Sequence, residues 1–410
     1  MARRLRFVLA SIALVVGGSA ATSASLQDFA AVERGRYLLN AADCGSCHTV
    51  PGSDRPFSGG RAIETPFGVL VSPNITPDRD TGIGAWSDEE FDAAVRRGIR
   101  RDGKRLYPAM PFPYFTRMSR EDVKDIRAYL STVAPVHNAV VSNKLPFPLN
   151  IRTAMMAWDK LYFTPGEFRE DASKSKEWNR GAYLVQGPGH CGACHTPKTW
   201  LGGDKTSALL QGYTLQGWVA PDITSGEGPL ATWSVEDLAQ YLKTGHNRFA
   251  AAAGLMGEVV DLSTSRLSDE DVKAMATYLK DVTGPKPVAD NSSADQKVLA
   301  AGGAIYQDLC SACHKSDGTG VPNLIPNLSQ AATVNTGDPT TVLRVILQGA
   351  QSVATDREPT GPVMPAFGWQ LNDVQVAAVA SYVRNHWGKA APVSEDQVKR
   401  EREALEARTN

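Results

Sequence analysis

Three stretches of this chain place two cysteines and a histidine in the same pattern: Cys44-Gly45-Ser46-Cys47-His48, Cys191-Gly192-Ala193-Cys194-His195 and Cys310-Ser311-Ala312-Cys313-His314. Each reads Cys-x-x-Cys-His. At this spacing two thiols can take up the vinyl groups of a porphyrin while the adjacent imidazole binds its iron. The chain has six cysteines, and the three motifs use all of them. Cys-x-x-Cys alone also fits a redox dithiol or half of a zinc site. Three copies, each followed by histidine and with no cysteine left over, point instead to three covalent haem c groups. Cys44, Cys47, Cys191, Cys194, Cys310 and Cys313 would attach them, and His48, His195 and His314 would be the proximal iron ligands.

Low-spin haem iron takes a sixth ligand, and a thioether raises its potential relative to a second imidazole. Eight methionines are available. Met110, Met256 and Met364 follow a repeated Pro-Asn/Asp-Ile/Leu triplet (Pro73, Pro221, Pro326) by 37, 35 and 38 residues. The gaps from the haem histidine to that proline are 25, 26 and 12, so the agreement survives an insertion of about a dozen residues. These three methionines are the expected distal ligands. His246 competes with Met256, since histidine can also ligate. Met275 lies on an apolar helix face and reads as core, as do Met118, Met155 and Met156 as structural residues. His190 precedes Cys191 and is badly placed for the same iron, and His137 and His386 read as solvated.

A ligating imidazole needs its second nitrogen held. The carbonyls of Pro73, Pro221 and Pro326 are candidates, and a purely loop-shaping role is the alternative. Trp86 and Trp233 are candidates to reach haem propionates, although burial alone explains an indole. Arg96, Arg97, Arg100, Arg101, Lys104 and Arg105 form a basic run before Met110, either a solvated face or a surface that steers an acidic partner or anionic headgroups.

The elements that must position these residues also repeat. Cys44 and Cys191 are 147 residues apart, and so are Trp86 and Trp233. A fixed offset means duplicated domains. Before each motif runs a helix with an internal glycine: Arg34-Gly35-Arg36-Tyr37, Arg180-Gly181-Ala182-Tyr183 and Gly302-Gly303-Ala304-Ile305-Tyr306. Glycine costs a helix about 1 kcal/mol against alanine, so close approach of a second helix is its expected use. The inserts containing Pro66-Phe67-Gly68 and Gly212 to Trp218 read as loops or short hairpins over a haem edge. Ser87 with Glu90, Ser234 with Asp237, and Asp338 with Pro339 open a middle helix in each repeat. Ser119 with Asp122, Ser268 with Asp271, and Asn372 with Gln375 open a last helix, whose apolar face packs on the first.

Length and composition agree. A chain of 410 residues holds two to four domains, and 42% hydrophobic with 21% charged residues suits globular cores. A net charge of -1 offers no general basis for binding nucleic acid. Arg3, Arg4 and Arg6 precede a short apolar run from Phe7 to Val16, which reads as a secretory signal peptide. The expected layout is a signal peptide over 1–24, a first domain over 27–132 and a connector over 133–176. A second domain over 177–283, a flexible linker over 284–295, a third domain over 296–390 and a charged tail over 391–410 follow. Ile151, Met155, Trp158 and Tyr162 lie at helical spacing, so the connector is expected to dock.

These motifs resemble the three-haem cytochrome c subunits of bacterial membrane-associated dehydrogenases for alcohol, gluconate, sorbitol, fructose or aldehyde. The carrying stretches are Thr65-Pro66-Phe67-Gly68, Asn74-Ile75-Thr76-Pro77-Asp78, Thr81-Gly82-Ile83-Gly84 and Leu106-Tyr107-Pro108-Ala109-Met110-Pro111. Trp178 to Val185 and Gly189 to Pro197 add to them. The resemblance covers essentially the whole mature chain. It implies a mainly α fold of three tandem class I cytochrome c-like domains, with Met110, Met256 and Met364 as ligands. It also implies an electron-transfer subunit on the periplasmic face of the inner (plasma) membrane. Its partner would be a catalytic dehydrogenase of flavin, quinone-cofactor or molybdenum type, and quinone or a terminal oxidase would accept the electrons. The alternative is a haem enzyme such as a multihaem peroxidase.

Overall fold

The computed structural model describes residues 19–141, 143–225, 230–284, 292, 294–387 and 390–409. Most of the expected signal peptide and the linker residues 285–291 and 293 lie outside them. Among the described residues helices dominate, with three two-stranded antiparallel sheets. No helix among the described residues is long and apolar enough to cross a membrane.

In the first repeat, α1 (Ser19–Ala41) leads into the short motif helix α2 (Cys44–His48). The hairpin β1 (Ala62–Thr65) and β2 (Gly68–Val71) follows, then α3 (Asp88–Arg97), α4 (Phe112–Phe115) and α5 (Arg120–Leu130). The connector contributes α6 (Met155–Tyr162). The second repeat has the same order: α7 (Lys176–Gln186), α8 (Gly192–His195), β3 (Gln211–Leu215), β4 (Trp218–Asp222), α9 (Val235–Thr244), α10 (Gly254–Leu262) and α11 (Asp269–Asp281). The third has α12 (Gln296–Leu309), α13 (Ser311–His314) and α14 (Thr340–Gln348). It ends with β5 (Ala350–Gln351), β6 (Val363–Met364), α15 (Asp373–Tyr382) and α16 (Glu395–Thr409).

The caps read from the sequence are formed. Ser87 with Glu90, Ser234 with Asp237 and Asn372 with Gln375 make reciprocal capping boxes, and Ser119 and Ser268 accept from the amides of Asp122 and Asp271. Asp338 departs from expectation. It sits one residue before the cap, accepting from the Thr340 amide at 2.9 Å and from the Thr214 hydroxyl at 2.6 Å.

Each repeat crosses its first helix on its last one at the internal glycine. A β-carbon on Gly35 would lie 1.8 Å from the carbonyl oxygen of Asp125. On Gly181 it would lie 1.9 Å from that of Ala274, and on Gly302 2.1 Å from that of Ala378. Only glycine permits these backbones to touch. Three apolar clusters form around the crossings: Leu38, Phe91, Val123 and Leu130 in the first; Leu184, Leu238, Val272 and Leu279 in the second; Tyr306, Leu343, Val376 and Val379 in the third.

The segment expected as a charged tail has a packing role. It forms α16, whose apolar residues Val398 (0% exposed) and Leu405 (2%) enter the third cluster. Arg402 clamps it by donating to the carbonyls of Gly368 and Leu371 and to Asp373. The connector docks through Trp158, whose indole donates to the Leu201 carbonyl at 3.0 Å and whose ring meets Phe112 edge-on. Ile151 instead stays exposed.

The first and second repeats meet through reciprocal contacts. The Tyr37 hydroxyl donates to Asp271 at 2.6 Å, and the equivalent Tyr183 hydroxyl donates to Asp122 at 2.5 Å. Both aspartates hold the third position after a capping serine. Such two-way exchange is the signature of an isologous interface. The third repeat has Ala304 and Gln375 at these places and docks differently. It uses the β3–β4 hairpin: the Val219 amide donates to Thr341 at 2.8 Å, and Arg344 lies 4.6 Å over the Trp218 ring.

Candidate haem centres

In every repeat a proline carbonyl meets the motif histidine, and a methionine packs on the same apolar cluster as a motif cysteine. The His48 Nδ1 lies 2.7 Å from the Pro73 carbonyl, the His195 Nδ1 2.7 Å from that of Pro221, and the His314 Nδ1 3.4 Å from that of Pro326. A carbonyl can only accept, so each Nδ1 carries the hydrogen and each Nε2 presents its lone pair. Burial holds all three imidazoles below the ordinary histidine pKa, against the raising effect of those carbonyls. Neutral imidazole is the metal-binding form.

The hairpins explain the first two carbonyls. The strand β2 leads straight into Pro73, and the Gly59 amide donates to the His48 carbonyl at 2.8 Å, so hairpin and motif helix are tied. In β3–β4 the turn residues Gln216 and Gly217 have φ of 50° and 72°, the left-handed pair that suits a two-residue hairpin turn. This turn faces the third repeat, where the Gln216 carbonyl accepts from Arg344 at 3.1 Å.

Cys44 and Met110 pack against the first cluster, Cys191 and Met256 against the second, Cys310 and Met364 against the third. Met275 is a core residue, 1% exposed, as its helical spacing suggested, and Met118, read only as structural, is fully buried at 0%. None of the six cysteines forms a disulfide. Burial pushes the Cys44 and Cys191 thiols up to about 12 and those of Cys194 and Cys310 up to about 11. Reactive dithiols lower the thiol pKa, so these sites do not suit thiol exchange. Among the described residues no grouping of three or more His, Cys, Asp or Glu could hold a metal ion.

In the second repeat, two buried nitrogens have no partner among the described residues: the Trp233 indole nitrogen and the His246 Nε2. Trp233 stacks on Phe249 at 5.3 Å inside the second cluster. An orphaned donor there suits a propionate of a bound haem. His190 turns away from its own motif, with Nδ1 2.8 Å from the Pro188 carbonyl and its ring edge-on to Phe115 of the first repeat.

The basic run is partly structural. Arg96 pairs with Asp92 and Glu167, and Arg105 pairs with Asp159 in the connector. Arg97, Arg101 and Lys104 lie at the surface, where Arg101 pairs with Glu90 and Lys104 with Asp102. Sequence reasoning missed Arg61 and Lys198. Each donates to a carbonyl inside a motif helix, Ser46 and Gly192 respectively. No local pattern marks them, because their carboxylate partners are distant in the chain or follow the motif irregularly.

A helical unit closed by glycine crossings around a Cys-x-x-Cys-His motif defines a c-type cytochrome. The cytochrome c family profile matches residues 32–134 and 299–387. The chain is 39% identical to the gluconate 2-dehydrogenase cytochrome c subunit of Pantoea cypripedii, over 93% of this chain and 91% of that one. It is 38% identical to the fructose dehydrogenase cytochrome subunit of Gluconobacter japonicus, covering 90% and 82%. To the quinone alcohol dehydrogenase cytochrome c subunit of Gluconacetobacter polyoxogenes it is 35% identical, covering 96% and 88%. The chain belongs to this family of dehydrogenase cytochrome c subunits. Its role is electron transfer, and it is not catalytic on its own.

Proposed function

We propose that the chain carries three haem c groups, each with histidine–methionine ligation. Electrons would come from a partner dehydrogenase acting on CH–OH or aldehyde donors and pass to quinone or a terminal oxidase. The observation that carries this is the threefold recurrence of one constellation: motif cysteine, carbonyl-held imidazole and methionine around one apolar cluster. Bound haem supplies one-electron exchange without an open metal position. The chain's own residues attach it through Cys44, Cys47, Cys191, Cys194, Cys310 and Cys313. They would orient the imidazoles through proline carbonyls, exclude water with the clusters and offer Met110, Met256 and Met364 as the second ligands. The periplasmic face of the inner membrane is the location that suits export and covalent haem. A partner of flavin, quinone-cofactor or molybdenum type fits the two-electron chemistry of such donors.

His246 supports a second assignment at one centre, since its buried Nε2 has no partner among the described residues. Haem content and spin state decide. The holoprotein should contain three haems per chain, all low-spin. Met256→Ala should make one haem high-spin and leave two unchanged. If Met256→Ala leaves all three low-spin while His246→Ala does not, His246 is the ligand.

A further inference from the structure

Arg61 and Lys198 are largely buried cations, 19% and 14% exposed at the side chain, and neither holds an imidazole. Each binds the motif helix of its own repeat. Arg61 donates to the Ser46 carbonyl, and Lys198 donates to that of Gly192 at 3.1 Å. Each also continues, through a carboxylate, to the segment that follows the methionine of the other repeat. Arg61 donates to Glu258 at 2.8 Å, and Glu258 lies in α10, two residues after Met256. Lys198 pairs with Asp204, which accepts the hydroxyl of Tyr114 in α4, four residues after Met110. The two relays run in opposite directions across the isologous interface. The third repeat takes no part in either.

We propose that Arg61 and Lys198 couple the first and second haems into one redox pair, each as a positioning residue joining the histidine side of one haem to the methionine side of the other. This rests on the reading that every motif holds a haem. Each cation offsets the negative charge of its carboxylate, and removing it would leave that charge facing both haems, which favours the ferric state. Arginine keeps its charge at any working pH. The hydrogen bonds give a second route, because a shift of one motif helix is passed to the other repeat's methionine segment. The third haem stands outside the pair and is an internal control.

The test is a redox titration of the full-length holoprotein, with each haem followed through its own ferric haem-methyl NMR signals. Haem content is measured first. Fewer than three haems in the parent would overturn the cofactor reading itself, independently of the coupling. With three present, Arg61→Gln should raise the oxidised-to-reduced ratio of both the first and second haems about threefold to tenfold at fixed potential. Tenfold is about 59 mV for one electron. Lys198→Gln should move the same two haems, and the third should stay within error. Arg61→Lys keeps the charge but loses the fork, so it should restore part of the shift; it also serves if Arg61→Gln loses haem. The proposal is overturned if each substitution moves only the haem of its own repeat, if all three move equally, or if none moves.

Discussion

Asp43 immediately precedes the first haem-binding motif and is buried, 8% exposed. Its Oδ2 accepts from the Ser46 hydroxyl at 2.8 Å, while its Oδ1 has no partner among the described residues. Burial pushes this carboxyl up to about 7, with the Ser46 hydrogen bond and nearby Arg61 only partly opposing it. The group is therefore neutral below about pH 7 and negative above it. A negative charge beside the motif favours ferric over ferrous iron, so the potential of the first haem should fall as pH rises through neutrality. Asp43→Asn should remove that slope and hold the potential near its low-pH value. A spectroelectrochemical titration at several pH values checks this, and an unchanged slope in Asp43→Asn would assign it to another group. At this scale the candidate ligand set is legible in the order of residues alone. Covalent attachment of haem would fix the Cys-x-x-Cys-His spacing, and the proline-to-methionine interval is nearly the same in all three repeats. Asp43, Arg61 and Lys198 are not legible there, because burial and partners from the other repeat give them their meaning.

Between elements, the decisive contact is the helix crossing at Gly35, Gly181 and Gly302. The sequence showed a glycine where a helix pays for one, and the structure supplies the reason: a carbonyl of the crossing helix occupies the space a side chain would need. At 1.9 Å from the Ala274 carbonyl oxygen, a methyl on Gly181 meets only backbone atoms of the crossing helix, Ala274 and Met275, and cannot be relieved by a rotamer change. Gly181→Ala should destabilise the second repeat by about 3 kcal/mol or more, at or beyond the upper end for overpacking. Gly337→Ala, where nothing lies within 4 Å, should change stability by no more than about 0.5 kcal/mol. Denaturant titration followed by haem absorbance compares them, and equal midpoints for the two variants would refute the packing role. The tail and the second hairpin were harder to read. Two buried apolar residues in α16 give too sparse a pattern to announce a docked helix. A hairpin's outer face carries no mark of which neighbour it will meet.

Across the whole molecule, the second repeat touches both others by different means. Paired tyrosine–aspartate bonds join it to the first, and a hairpin with a loop contact joins it to the third, where the Val353 amide donates to the Ala252 carbonyl at 2.9 Å. All of these elements hold haem-binding segments or fasten one repeat to the next. Oxidising an alcohol or aldehyde removes two electrons with a proton or hydride, whereas a six-coordinate haem takes one electron and leaves no metal position for substrate. If the three haems are six-coordinate as proposed, the chain would need a partner with two-electron chemistry before such donors could reduce it. Purified holoprotein mixed with ethanol, gluconate, sorbitol or an aldehyde should stay oxidised, as followed by its haem absorbance, and should become reduced once the cognate dehydrogenase is added. The exposed part of the basic run, Arg97, Arg101 and Lys104, is available to steer that encounter, so its contribution to the reduction rate should shrink as salt rises. Reduction by any of these donors alone, with no second protein detectable by mass spectrometry, would make the chain an enzyme in its own right.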